Sequence, residues 1–122
     1  MNNNISGSVR LNIETYFAGK NQPTHPSIVA FEEEWCGYKY WMAYSPYPFG
    51  NGEEENPSIA VSNDLLYWDI PNGFLNPIAN NEEVGCDELK DPHILYRDDL
   101  NRLEVWYLGR LNTNFGGMEK HF

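Results

Sequence analysis

His25-Pro26-Ser27-Ile28-Val29 and Asp91-Pro92-His93-Ile94-Leu95 stand 66 residues apart and share one pattern: a polar residue, proline, a polar residue and two aliphatics. Each string leads through an acidic turn into a strand that carries tryptophan. Trp41-Met42-Ala43 aligns with Trp106-Tyr107-Leu108, so the chain reads as two copies of one supersecondary unit.

Working outward, the first copy predicts an antiparallel meander. Ser27 to Phe31 and Tyr38 to Tyr44 form a hairpin, because Cys36-Gly37 suits a tight turn and Glu32-Glu33-Glu34 holds that turn in solvent. Two glycines and three prolines between Pro46 and Pro57 forbid a regular element and predict a loop. Ser58 to Ser62 is apolar and β-branched in its middle, Asn63-Asp64 turns, and Leu66 to Ile70 supplies a fourth strand. Upstream, Arg10 to Phe17 alternates with period two and reads as a half-buried strand. The resulting division of residues 1–122, taken as one domain, is an N-terminal strand and linker (8–24), a first blade-like meander (25–75), a linker (76–90), the start of a second (91–110) and a tail (111–122). Ten glycines and eight prolines break the chain often and make short strands the default over long helices.

A length of 122 residues gives one core at most, and 41% hydrophobic with 15% aromatic residues is enough apolar surface to build it. Eight basic against 18 acidic residues leave a net charge of −10, which disfavours nucleic acid and anionic membranes as partners. The apolar runs, such as Ile28 to Phe31, are far shorter than a membrane span, and Met1-Asn2-Asn3-Asn4 lacks the basic and apolar regions of a signal peptide. The expected location is the cytoplasm or a virion. Cys36 and Cys86 carry no zinc spacing and read as reduced thiols.

Four-stranded meanders repeated along a chain are the signature of a β-propeller. The string at His25 to Ile28, the aromatic strand Tyr38 to Tyr44, Glu55-Asn56-Pro57-Ser58-Ile59 and the Ser-x-Asp-Leu-x-x-Trp pattern at Ser62, Asp64, Leu65 and Trp68 resemble the first blade of five-bladed propellers related to glycoside hydrolase family 43, including phage and prophage relatives. Asp91-Pro92 looks like the acid-proline pair that opens the second blade. The resemblance implies an all-β fold of antiparallel four-stranded blades, incomplete here because 122 residues at 66 per blade make fewer than two. An unclosed pair of blades exposes an apolar face and a free edge. A homo-oligomer, or a fragment of a longer chain, is therefore expected. In the propeller, Cys36 and Cys86 fall too far apart to be bridged.

The same topology gathers chemistry. His25 and Asp91 open innermost strands, His93 points to the side of Asp91 two residues on, and the loop from Pro46 brings Tyr47, Phe49, Glu55 and Asn56 to the rim. Aromatic rings among carboxylates and amides suit a carbohydrate partner. The resemblance implies a glycan-binding or glycan-cleaving protein with Asp91 in a helper role, and Glu55 serves as acid or base if it faces the channel. Against an enzyme, His25 stands where the family has its first-blade Asp, and the third-blade acid is missing. The alternative is a noncatalytic glycan-binding or phage structural module that completes its ring by oligomerisation. Each candidate also has a plain reading: solvated loop for Glu55, hydrogen-bonded strand start for His25, core for the tryptophans. No metal site is assigned and no cofactor is expected. His25, Asp91 and His93 are the residues that would take a cation such as Ca²⁺, although their spacing is not diagnostic.

Overall fold

The computed structural model describes residues 11–122; Arg10, where the first expected strand begins, lies outside them. The chain is all-β, with strands β1 (Pro23–Trp35), β2 (Tyr38–Pro46), β3 (Ser58–Ser62), β4 (Glu88–Arg97), β5 (Arg102–Leu111) and β6 (Asn114–His121), and one short helix, α1 (Asn81–Val84). They form two three-stranded antiparallel sheets of order β1-β2-β3 and β4-β5-β6.

The sequence repeat is a structural repeat. The β1–β2 ladder shifts register between Thr24 and Ser27, and the β4–β5 ladder shifts between Lys90 and His93, the same place in both copies. Inside each irregularity the residue before proline takes a left-handed backbone, φ 51° at His25 and 54° at Asp91, a conformation that costs most residues free energy. The alignment of Trp106 with Trp41 is displaced, because Ser27 pairs with Ala43 whereas His93 pairs with Trp106. The reason is a second irregularity in the first hairpin: between the pairs Ala30–Tyr40 and Trp35–Tyr38, β1 carries Phe31 to Glu34 where β2 has Lys39 alone, whereas β4 and β5 pair without a break from His93 to Arg97.

Alternation along the strands sends Trp41, Ala43 and Val61 from the first sheet against Ile94, Leu103 and Val105 of the second, all buried. Each such aliphatic side chain contributes about 1.5–3 kcal/mol when fully buried. The far side of the first sheet, Met42, Tyr44 and Ala60, is covered by Trp68 and Ile13. The order of layers is therefore the Ile13 and Trp68 segments, the first sheet, then the second. Polar contacts close the seam between the sheets: the Ser27 hydroxyl accepts from the Ile94 N–H at 3.0 Å, and the Trp35 indole N–H donates to Asn101 Oδ1 at 2.9 Å.

Four expectations are corrected. The fourth strand at Leu66 to Ile70 is reduced to isolated bridges, Val61 with Asp69 and Asn12 with Tyr67, since the Asp64 carboxylate accepts from the Leu66 and Tyr67 N–H groups and curls the chain there. The alternating segment from Leu11 to Tyr16 is likewise a strap rather than a strand, joined at Asn12 alone, and Phe17–Gly19 is a 3₁₀ turn. The tail of 111–122 is mostly strand β6, which completes the second sheet across β5. The second unit starts at Glu88 rather than Asp91, and the linker before it contains α1, capped by Asn80 Oδ1 on the Glu82 N–H.

Candidate functional site

The two left-handed residues meet. His25 at the start of β1 and Asp91 in β4 project from equivalent positions of the two sheets, with Nε2 3.8 Å from Oδ1, and both side chains are about half exposed, 51% and 50%. Retaining His and Asp rather than glycine at two strained positions puts imidazole and carboxylate side by side at the seam, and strain of this kind concentrates at functional sites.

Glu55 joins them from the loop before β3. It is a buried carboxylate, 5% exposed. Burial pushes its pKa up; neighbouring Lys90 and His25 pull it back, and Asp91 and Glu88 add to the rise. A carboxyl group raised in this way keeps its proton to higher pH than a free carboxylate does, a shift in the direction that suits a general acid or base. Asn56 holds the next position of the loop. Its Nδ2 donates to the Tyr16 hydroxyl at 3.2 Å, and its Oδ1 accepts from the Asn81 N–H at 2.9 Å. Asn56 is thus a buried strut beneath Glu55, not an open contact for ligand. Tyr16 in turn donates to the Glu54 carbonyl, and burial raises its pKa to about 12.

The remaining expected residues are spread. His93 is exposed and its Nδ1 lies 3.2 Å from the Ser27 hydroxyl, a contact that ties it to the sheet seam. Tyr47 and Phe49 stand in solvent and are anchored elsewhere, through backbone N–H groups donated to the Gln22 carbonyl and side-chain oxygen. Among the described residues no group of three or more His, Cys, Asp or Glu side chains is arranged to hold a metal ion. Cys36 and Cys86 are both free thiols.

Glu88 and Lys90 went unrecognised in the sequence because they precede the Asp91-Pro92 string and fell in the linker. They pair with each other at 3.9 Å, and Glu88 also accepts from Arg110. A signal was present: Lys90 is the only basic residue between Lys39 and Arg97, and it directly precedes the repeat.

No protein-family model matches the chain. A stretch of 58 residues, 48% of the chain, is 47% identical to the A type blood N-acetyl-alpha-D-galactosamine deacetylase of Flavonifractor plautii, of which it covers 8%. The fold superposes on the crystal structure of an N-acetylgalactosamine deacetylase from F. plautii in complex with blood group B trisaccharide, with a TM-score of 0.82 and 24% identity over 92% of this chain. The chain spans 31% of that solved protein. These likenesses overturn the resemblance to glycoside hydrolase family 43: the proteins that match are deacetylases acting on a sugar, not glycosidases. The physical reason lies in what the motifs encode. Ser62 and Asp64 spend their oxygens on the backbone of one turn, and the Trp68 indole N–H donates to the Leu65 carbonyl of the same turn. Such a motif reports a fold element, and a fold element does not fix a reaction.

Proposed function

We propose that this chain belongs to a carbohydrate-acting protein whose substrate is a glycan carrying an N-acetylated amino sugar, and that the cluster of His25, Glu55 and Asp91 faces it. The observation that carries the reading is the 58-residue stretch at 47% identity to a sugar deacetylase. The geometry supports it. Removing an acetyl group adds water to the amide carbonyl, breaks the C–N bond and leaves acetate and an amine. In that scheme Glu55 accepts a proton from the attacking water and returns it to the departing nitrogen, a role suited to its raised pKa. His25 and Asp91, half exposed on either side of the seam, hydrogen-bond to the sugar and its acetamido group.

The test is acetate release from an oligosaccharide ending in N-acetylgalactosamine, by the chain and by Glu55→Gln, alongside calorimetric binding of the same sugar. Turnover lost in Glu55→Gln with binding retained is the expected result. Absence of both turnover and binding in the folded chain refutes the proposal. Binding without turnover favours a second reading, a noncatalytic glycan-binding unit.

We also propose that the two sheets are successive three-stranded blades of a larger stack. Contacts at the 66-residue offset support this, because Ser27 with His93 and Trp35 with Asn101 join equivalent positions of neighbouring sheets.

A further inference from the structure

Glu55 is fixed by its backbone, not by its carboxyl group. Burial and the charges of Lys90, His25, Asp91 and Glu88 act on that carboxyl, and among the described residues no hydrogen bond does. Its place therefore depends on the chain to either side. On the C-terminal side, Asn56 is tied to the Tyr16 hydroxyl and to the Asn81 N–H. On the N-terminal side, the Glu54 carbonyl accepts from the Tyr16 hydroxyl at 2.6 Å, and the Gly52 carbonyl accepts from the Glu55 N–H at 3.2 Å. A shift at Gly52 is thus passed directly to Glu55.

Gly52 opens the 3₁₀ turn Gly52–Glu54, and its backbone is not left-handed, so conformation alone does not call for glycine. Space does. A Cβ at Gly52 would run into the Glu88 carboxylate, with Oε1 nearest and Cδ at 3.0 Å, closer than the roughly 3.5–4.0 Å of ordinary carbon contacts.

The end of a glutamate side chain ordinarily swings aside at little cost, but Glu88 is held. It stands opposite Arg110 in the β4–β5 ladder, and its Oε2 accepts from Arg110 Nε at 2.8 Å and from Nη2 of the same guanidinium. Arg110 is itself anchored, donating from Nη1 to the Asn112 carbonyl at 2.6 Å, and Lys90 Nζ lies 3.9 Å from Glu88 Oε1. Two charge-assisted bonds from one planar guanidinium fix the carboxylate in place.

We infer that Glu88, held by Arg110, is a positioning residue for Glu55: its carboxylate is the stop on which Gly52 rests, and Gly52 hands that position on to Glu55. This role rests on Glu55 acting as the acid and base of the reaction proposed above. Proton transfer in a bound complex tolerates little displacement, and a misplacement of about 1 Å costs on the order of a hundredfold in rate.

Three variants test it: Gly52→Ala, which drives a methyl group into the stop; Glu88→Asp, which draws the stop back by one methylene; and the two together, in which the shorter acid makes room for the methyl. In acetate release from an oligosaccharide ending in N-acetylgalactosamine, each single variant is expected to lose about tenfold in kcat with KM unchanged, since His25 and Asp91 are untouched. The pair is expected to regain most of that loss, the non-additivity of residues in contact. Carbon-13 NMR of the Glu55 carboxyl gives a readout without turnover: its raised titration moves toward the ordinary 4.5 in each single variant and returns in the pair. Circular dichroism confirms that each variant is folded. Arg110→Gln frees the stop without adding bulk, and is expected to lower kcat in the same way should Gly52→Ala not fold. An unchanged kcat in Gly52→Ala, or in Arg110→Gln where that variant replaces it, overturns the inference, as do losses that simply multiply in the pair. A wild type that releases no acetate refutes the reaction proposed for Glu55, and the titration then decides: a Glu55 value that stays put in every variant overturns the positioning role as well.

Discussion

His25 and Asp91 carry the same cost and sit in the same place in two repeats. With φ of 51° and 54°, each pays for a left-handed backbone that glycine adopts freely. His25→Gly and Asp91→Gly are each expected to stabilise the fold by about 1 kcal/mol, read from urea unfolding, while removing glycan binding. A loss of stability instead would show that the 3.8 Å contact between them matters to the fold more than the strain does. Glu55 makes the opposite bargain with pH. Its folded pKa lies above the ordinary value of 4.5, so between those two values the folded state holds more protons than the unfolded one, and stability falls as pH rises through that window. Glu55→Gln removes the ionisation. The variant is therefore expected to be more stable than the wild type at neutral pH, and the difference shrinks on acidification toward the ordinary carboxylate range. Thermal melts at neutral and acid pH check the sign; a difference independent of pH would mean that burial is not what raises the group.

The repeat was legible as strings of residues because each string opens a strand at the sheet seam, where a polar side chain, a proline and two aliphatics have fixed jobs. Ser27 accepts from the Ile94 N–H, so the polar residue after proline in one copy fastens the aliphatic pair of the other. Ser27→Ala leaves that N–H without its partner and is expected to cost about 1 kcal/mol, measured by urea denaturation; a neutral change would mean that water replaces the hydroxyl. What alternation could not show was the competition for backbone groups. Leu66 to Ile70 has the composition of a strand, yet Asp64 captures two of its N–H groups, and a captured N–H cannot join a ladder. β6 was hidden for the reverse reason: Gly116-Gly117 weakens its strand signal, and only pairing with β5 makes Asn114–His121 extended. At the candidate site, Glu55 and Asp91 were readable as carboxylates near strand starts. Their convergence with Lys90 and Glu88 depends on two chain segments folding beside each other, which no local pattern reports.

The two sheets share one core, and neither keeps its apolar face covered without the other. Trp41 lies at its centre, in contact edge-on with Trp35, Tyr38 and Phe74, and the same cluster continues through Leu103 and Val105 into the second sheet. A domain of this size has a stability of about 5–15 kcal/mol in total, and truncating a buried tryptophan costs about 3–5 kcal/mol. Trp41→Ala is thus expected to remove a large part of the stability of both sheets together, although the residue belongs to one. Urea unfolding followed by tryptophan fluorescence and by far-ultraviolet circular dichroism should give coincident transitions in wild type and variant, both shifted to lower denaturant in the variant. Separate transitions, with the dichroism signal of β4–β6 surviving the loss of Trp41, would mean that the second sheet stands on its own. The His25–Asp91 pair would then span a joint between independent units, and a site built across that joint would lack the rigid support that binding a sugar in one orientation requires.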